Sequence, residues 1–139
     1  MLDHVGLTVL DFARSRAFYV AALAPLGYAP VMDVTKEETG GYEGAGFGSD
    51  GKPSFWIGNG PRASGPIHVA FVAQSRAGVD RFYDAAIAAG GRDNGPPGIR
   101  DYAPDYYAAY LLDPDGHNVE AVHRSAETRS KWTWLRIGT

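Results

Sequence analysis

The chain has 139 residues, 45% hydrophobic and 21% charged, with a formal net charge of −3: enough for one ordinary domain with one core, and no electrostatic case for nucleic acid or an anionic membrane surface. Without cysteine, disulfides, thiolate metal sites and thiol nucleophiles are excluded. No apolar run approaches the roughly 20 residues of a membrane span, and the N-terminus lacks the basic and apolar regions of a signal peptide, so a cytoplasmic protein is expected.

Leu2 to Val9 alternates as a strand, with Val5, Leu7 and Val9 on one face and His4, Gly6 and Thr8 on the other. Asp11 offers an N-cap, and Phe12, Tyr19, Leu23 and Leu26 recur at helical spacing until Pro25 and Gly27 stop the helix. Strands are expected at Tyr28 to Val34, Glu43 to Gly48 and Ser54 to Gly58, parted by Gly- and charge-rich turns. The Gly/Pro-rich stretch Asn59 to Pro66 is a link too short to separate independent domains.

The pattern then restarts. Ile67 to Val72 reads as a strand, Ser75 as an N-cap, and Val79, Phe82, Tyr83, Ala86 and Ile87 as the apolar stripe of a helix ended by Gly90-Gly91. A weak strand near Arg92, then Tyr106 to Leu112 and Asn118 to His123, complete the unit. Asp113-Pro114-Asp115-Gly116 joins the last two with Pro and Gly at the second and fourth places of a type I turn. Gly95 to Asp105, with three prolines, reads as a mobile loop. The order is therefore β-α-β-β-β twice, in modules of about 1–60 and 65–124 within one domain of residues 1–124. Residues 125–139 form a tail carrying Trp132, Trp134, Leu135 and Ile137, more apolar surface than a disordered tail usually holds. Packing of that tail on its own body or on a partner subunit is expected, and with it a homodimer.

The two units are a repeat at a constant offset of 64. His4, Val5, Phe18, Tyr19, Ala21, Ala22 and Gly27 match His68, Val69, Phe82, Tyr83, Ala85, Ala86 and Gly91. With Ala13/Ala77 and Ala24/Ala88 that makes nine identities in 24 positions, against about one or two from ordinary composition. Histidines at matching positions suggest two facing half-sites. Glu120 supplies an acid: on a strand from His117 to His123 it shares a face with Asn118 and Val122, away from His117 and His123. A carboxylate between Val119 and Ala121 is costly to bury unless paired or bound to a cation. His4, His68 and Glu120 thus form a 2-His-1-carboxylate set for a divalent metal ion, with Fe, Mn, Zn and Ni not distinguished. His117 and His123 read as surface residues at a turn end and a strand end.

Asp3-His4-Val5, Asp11 to Tyr19 with its Phe18-Tyr19 pair, Ile67-His68-Val69 and Asp113-Pro114-Asp115-Gly116-His117-Asn118-Val119-Glu120-Ala121 together resemble the vicinal oxygen chelate superfamily. This group contains glyoxalase I, extradiol ring-cleaving dioxygenases, fosfomycin-modifying enzymes and bleomycin-resistance proteins. The resemblance implies an α+β fold of paired βαβββ modules forming an open, curved, mixed-sheet cup, with a metal between them at His4, His68 and Glu120.

Departures from the family narrow the choice. Glyoxalase I is similar but has a fourth protein ligand on the last strand of the first module. Here that place falls on Phe55 or Trp56, neither of which ligates metal. Glu37, Glu38 and Glu43 lie on the wrong strand or in a polar loop. Fosfomycin-modifying transferases are similar in length and in the DPDGHxxEA run, but carry a hydroxyl residue where this chain has Gly6, and a lysine where it offers only Arg92 and Arg100.

The expected function is a small metal-dependent enzyme: Lewis-acid chelation of a small oxygenated substrate, with lyase- or isomerase-like chemistry. Ring-cleaving dioxygenase, thiol transferase and non-catalytic drug-binding protein are the alternatives. Phe55, Trp56, Tyr107 and Tyr110 are candidate pocket walls, and Arg100 and Tyr102 candidate covers over an anionic substrate. No residue is assigned as general base.

Overall fold

The computed structural model describes residues 1–62, 64–65 and 67–129, residue 129 by its backbone alone. Alternation builds β1 (Val5–Val9), where Leu7 and Val9 are buried while Gly6 and Thr8 are exposed. Asp11 starts α1 (Phe12–Leu23), its side chain accepting from the Arg14 backbone N–H at 3.1 Å. A 3-10 turn, Ala24–Leu26, ends at Gly27, whose φ of 81° suits a residue without Cβ. β2 (Ala29–Val34), α2 (Lys36–Thr39), β3 (Gly44–Ser49) and β4 (Lys52–Asn59) complete the first module. The sequence reading overlooked α2, although Thr35 and Glu38 have the spacing of a capping box and form one.

The second module runs β5 (His68–Val72), α3 (Arg76–Ala88), β6 (Arg92–Arg100), β7 (Tyr106–Leu112) and β8 (Asn118–His123), followed by α4 (Ala126–Arg129). Ser75 caps α3 as Asp11 caps α1, accepting from Gly78 N–H at 3.0 Å. The expected loop from Gly95 is a correction: β6 continues to Arg100, with register shifts on both sides of Gly95. Edge position explains it. β6 pairs only with β7 among the described strands, so Pro96 and Pro97 need supply no N–H on the open side.

The strands form two open mixed sheets, ordered β1-β4-β3-β2 and β5-β8-β7-β6. In each, the first and last strands of the module pair in parallel and the others antiparallel. This is the expected α+β arrangement, built as two four-stranded sheets with no ladder between β1 and β5 among the described strands.

Side chains join the modules instead. Phe55 meets Phe71 edge-on with ring centroids 5.2 Å apart, and Tyr28 meets Phe71 at 5.8 Å. α1 packs on α3, and the buried set including Phe18, Tyr19, Phe47, Ile57, Val79, Phe82 and Leu111 is one continuous core. Each such side chain is worth about 1.5–3 kcal/mol on full burial.

The 64-residue offset extends to strand register. Val5 lies opposite Phe55 and Val69 opposite Val119, while Gly46 lies opposite Trp56 and Tyr110 opposite Glu120. No helix among the described residues is long and apolar enough to cross a membrane. Trp132, Trp134, Leu135 and Ile137 lie outside the described residues.

Candidate metal centre

Val119 and Ala121 turn into the core beneath α3, so Glu120 between them turns to the other face of β8. Its side chain is nevertheless 1% exposed. One oxygen, Oε2, lies 2.8 Å from Nε2 of His68, and the other accepts a hydrogen bond from the Tyr106 hydroxyl. Tyr110 stands directly across from Glu120 in β7, and its ring centroid is 6.3 Å from that of His68. Burial pushes the Tyr106 phenol well above its ordinary value, with the hydrogen bond to Glu120 adding to it. Tyr110 is raised too, by burial first and then by the Glu120 charge. Both phenols therefore stay protonated at neutral pH, and Tyr106 is a fixed donor to a buried carboxylate that would otherwise be costly.

His4 occupies the matching place at the start of β1, with a largely exposed side chain. Its Nδ1 lies 2.8 Å from Asp3 Oδ1, and Lys52 Nζ lies 2.9 Å from Asp3 Oδ2. These bonds, His4 first, hold the Asp3 carboxyl below its usual range. With Nδ1 engaged by a carboxylate, Nε2 remains for a ligand, the way metal-bound histidines are commonly oriented. His4 and His68 both line a crevice of ≈ 380 Å³ between β1 and β5, with Phe55 and Phe71. Within one chain, however, no three acidic or histidine side chains among the described residues gather closely enough to hold a metal. His68 and Glu120 suit a divalent cation by chemistry and convergence, whereas His4 stands apart from them.

The structure separates the pocket candidates by face. Phe55 is 2% exposed and belongs to the core, touching the crevice only from within. Trp56 shares the His4 face of its sheet, opposite Gly6. Tyr110 shares the face of Glu120, and so does Arg100, which lies across from Tyr106 in β6 and places its guanidinium 5.5 Å from the Tyr110 ring centroid. Tyr102 is exposed and meets the Tyr106 ring edge-on at 5.5 Å. Tyr107 points the other way: its hydroxyl donates to Asp80 on α3 at 2.6 Å, and Arg76 covers its ring. Glu38 is used in its helix cap and Glu43 is paired with Lys36 at 3.3 Å.

His117 is a further correction. It is 2% exposed, not a surface residue, and among the described residues its Nε2 has no hydrogen-bond partner. The turn before it is folded beneath α1: Asp113 accepts from the Tyr19 hydroxyl at 2.6 Å and Asp115 from the Leu10 backbone N–H at 3.1 Å. His123, half-buried, reaches the Ala73 carbonyl oxygen through Nδ1 at 3.0 Å. Tyr106 and Asp3 were missed by sequence reasoning. Tyr106 has the parity of Tyr110 on one strand, a signal that was available; the Asp3–His4 bond is a rotamer choice that spacing does not encode.

Residues 1–121 match the family model described as the Glyoxalase/Bleomycin resistance protein/Dioxygenase superfamily. A glyoxalase/bleomycin resistance protein from Albidiferax ferrireducens T118 is 35% identical, with a TM-score of 0.71 over 88% of this chain and 98% of that one. A point mutant of the genomically encoded fosfomycin resistance protein FosX from Listeria monocytogenes, complexed with Mn(II) and 1S,2S-dihydroxypropylphosphonic acid, is 22% identical, with a TM-score of 0.68 over 94% of this chain and 98% of that one. A family enzyme from Burkholderia phytofirmans PsJN is 19% identical, with a TM-score of 0.64 over 88% of this chain and 97% of that one. No curated protein sequence matches the chain.

Proposed function

Because the chain belongs to the glyoxalase/bleomycin resistance protein/dioxygenase superfamily, we propose that it is a metal-dependent enzyme, with His68 and Glu120 of one protomer and His4 of a second as ligands. The observation that carries this reading is the carboxylate of Glu120, buried to 1% exposure yet turned to the open face of its sheet against His68 Nε2 at 2.8 Å. Burying a charge there is costly, and the pairing with an imidazole makes two-thirds of a ligand set. A divalent ion held by these residues would supply Lewis acidity toward a small oxygenated substrate, for lyase- or isomerase-like chemistry. Tyr106 holds Glu120 in place, while Asp3 orients His4. The second protomer enters because His4 does not meet the other two within one chain, and because β1, which His4 immediately precedes, and β5, which begins with His68, are both sheet edges.

Complementation tests the arrangement. His4→Ala and His68→Ala should each lose tight Mn2+ binding as homodimers. Unfolded and refolded together in equal amounts, they should regain roughly a quarter of the wild-type sites, since half of the dimers are mixed and one of the two sites in each is intact. No recovery, with full binding by wild-type protein, would rule out a shared site; no binding by wild-type protein to any of several metals would rule out the metal reading itself.

A further inference from the structure

β6 is irregular for a reason that the metal reading does not supply. Its two register shifts flank Gly95, and both Gly95 and Gly98 lie against the Arg100 guanidinium. A Cβ added at Gly98 would sit 2.9 Å from Nη1, and one at Gly95 would sit 3.3 Å from Nη2. Nη2 donates to the Pro96 carbonyl at 2.6 Å and Nη1 to the Ile99 carbonyl at 3.4 Å. The strand thus bends around the guanidinium and holds it over the Tyr110 ring, on the face that carries His68 and Glu120.

Two other arginines of the protein have acids: Arg16 pairs with Asp33 and Arg76 with Asp105. Arg100 forms no salt bridge among the described residues. A half-buried guanidinium has five N–H donors, and two carbonyls do not neutralise its charge. We propose that Arg100, cradled by Gly95 and Gly98 on the sheet face that carries Glu120, is a specificity-determining residue that takes the carboxylate of a small hydroxy or keto acid. The proposal rests on the metal reading for the substrate's other anchor, its oxygens at the cation. One unpaired guanidinium offsets one charge, and its planar fork matches a carboxylate, which favours a monoanion over a dianionic phosphonate.

Titration calorimetry of Mn2+-loaded protein with glycolate and lactate, beside the neutral glycolamide and lactamide and the dianionic hydroxymethylphosphonate, tests this. The acids should bind at least about tenfold more tightly than their amides. Arg100→Gln should remove that difference while leaving Mn2+ affinity, read by electron paramagnetic resonance, unchanged. Gly98→Ala should do the same with little change in melting temperature, because the new methyl meets only the movable end of Arg100. Arg100→Lys should recover part of the preference. Equal binding of acids and amides, acid binding that survives Arg100→Gln, or a preference for the phosphonate would overturn the proposal and leave the metal reading standing. Absence of binding to Mn2+ and to Fe2+, Zn2+ and Ni2+ alike would sink the metal reading instead. The same acid–amide comparison on metal-free protein would then decide for Arg100 by whether Arg100→Gln abolishes the preference.

Discussion

Trp56 stands in β4 where Glu120 stands in β8. Gly6 lies opposite Trp56 across one parallel ladder and Ala70 opposite Glu120 across the other, 64 residues on in each strand. The indole rests on the sheet: a Cβ at Gly46 would lie 2.8 Å from Trp56 Cζ2. The first module therefore presents one histidine and an aromatic platform, the second a histidine and a carboxylate. Where the resemblance to glyoxalase I implies a fourth protein ligand, this chain has a ring. The expected outcome is that protein loaded with Mn2+, Ni2+ or Zn2+ turns over the glutathione–methylglyoxal adduct no faster than the free metal. Efficient turnover would defeat the three-ligand assignment. Trp56→Glu should tighten metal binding in a chelator competition, because the new carboxylate shares the His4 face, while lowering stability through lost packing on Gly46.

His68→Ala and His117→Ala separate a ligand from a packing residue. The first should abolish tight metal binding and also strip Glu120 of a partner, which costs about 1–3 kcal/mol for a buried polar group. His117→Ala should keep the metal, because the side chain is buried and its Nε2 has no hydrogen-bond partner among the described residues. Metal titration and urea unfolding of both variants check this, and equal metal losses would mean that the faces of β8 are wrongly assigned.

The strands and helices were legible in the sequence where two periods were clean. Alternation marked β1 and β8, and the caps Asp11 and Ser75 marked the helix starts. The repeat carried more than either, yet left Phe55 and Trp56 open: an offset of 64 points to Trp56, aligning Asp50-Gly51 on Asp115-Gly116 points to Phe55, and the strand pairing decides for Trp56. β6 was hidden because Gly95, Pro96 and Pro97 read as a loop unless the strand is known to be an edge. His117 was misread because its burial depends on Tyr19 and Asp113, 94 residues apart in sequence. Such long-range contacts leave no local trace.

That Tyr19–Asp113 bond is itself a point of failure. Burial pushes the Tyr19 phenol well above its ordinary value, with the Asp113 carboxylate next in effect, so it stays a donor. Asp113 also accepts from the backbone N–H of Asp115 at 2.9 Å and of His117 at 2.8 Å, which locks the turn leading into β8. Tyr19→Phe should lower unfolding free energy by about 1.5–3 kcal/mol, the range for a hydrogen bond to a charged group. Urea unfolding measures it. A change within a few tenths would show that the turn holds without α1.

Acid stability should carry a signature from Asp105. Arg76 Nη2 at 2.7 Å and then the Ser125 backbone N–H at 2.9 Å hold its carboxyl at about 2, below the ordinary 3.8. A folded-state value below the unfolded one means that the ionised group stabilises above pH 3.8, and that the contribution fades as pH falls toward 2. Asp105→Asn tolerates the left-handed φ of 58° at this position. The variant should be less stable than the wild type at pH 6, with the difference closing below pH 4. A difference that is constant down to pH 2 would assign the loss to geometry instead of charge.

The protein is expected to be a dimer in which residues 130–139 take part. β1 and β5 are sheet edges with no further partner among the described strands, and Val72 on β5 is exposed. Trp132, Trp134, Leu135 and Ile137 add apolar side chains worth roughly 1.5–3 kcal/mol each when buried, enough to offset much of the cost of ordering a short segment. Sedimentation should compare the full chain with a version ending at Arg129. That end point keeps Ser125 on Asp105 and Arg124 on the Thr128 carbonyl, so a loss of dimer reports on the last ten residues and not on a frayed β8. A full-length monomer at micromolar concentration would defeat the dimer, and with it the shared ligand set. A shortened protein that stays fully dimeric would defeat only the part of the tail, and would assign the association to the open strand edges.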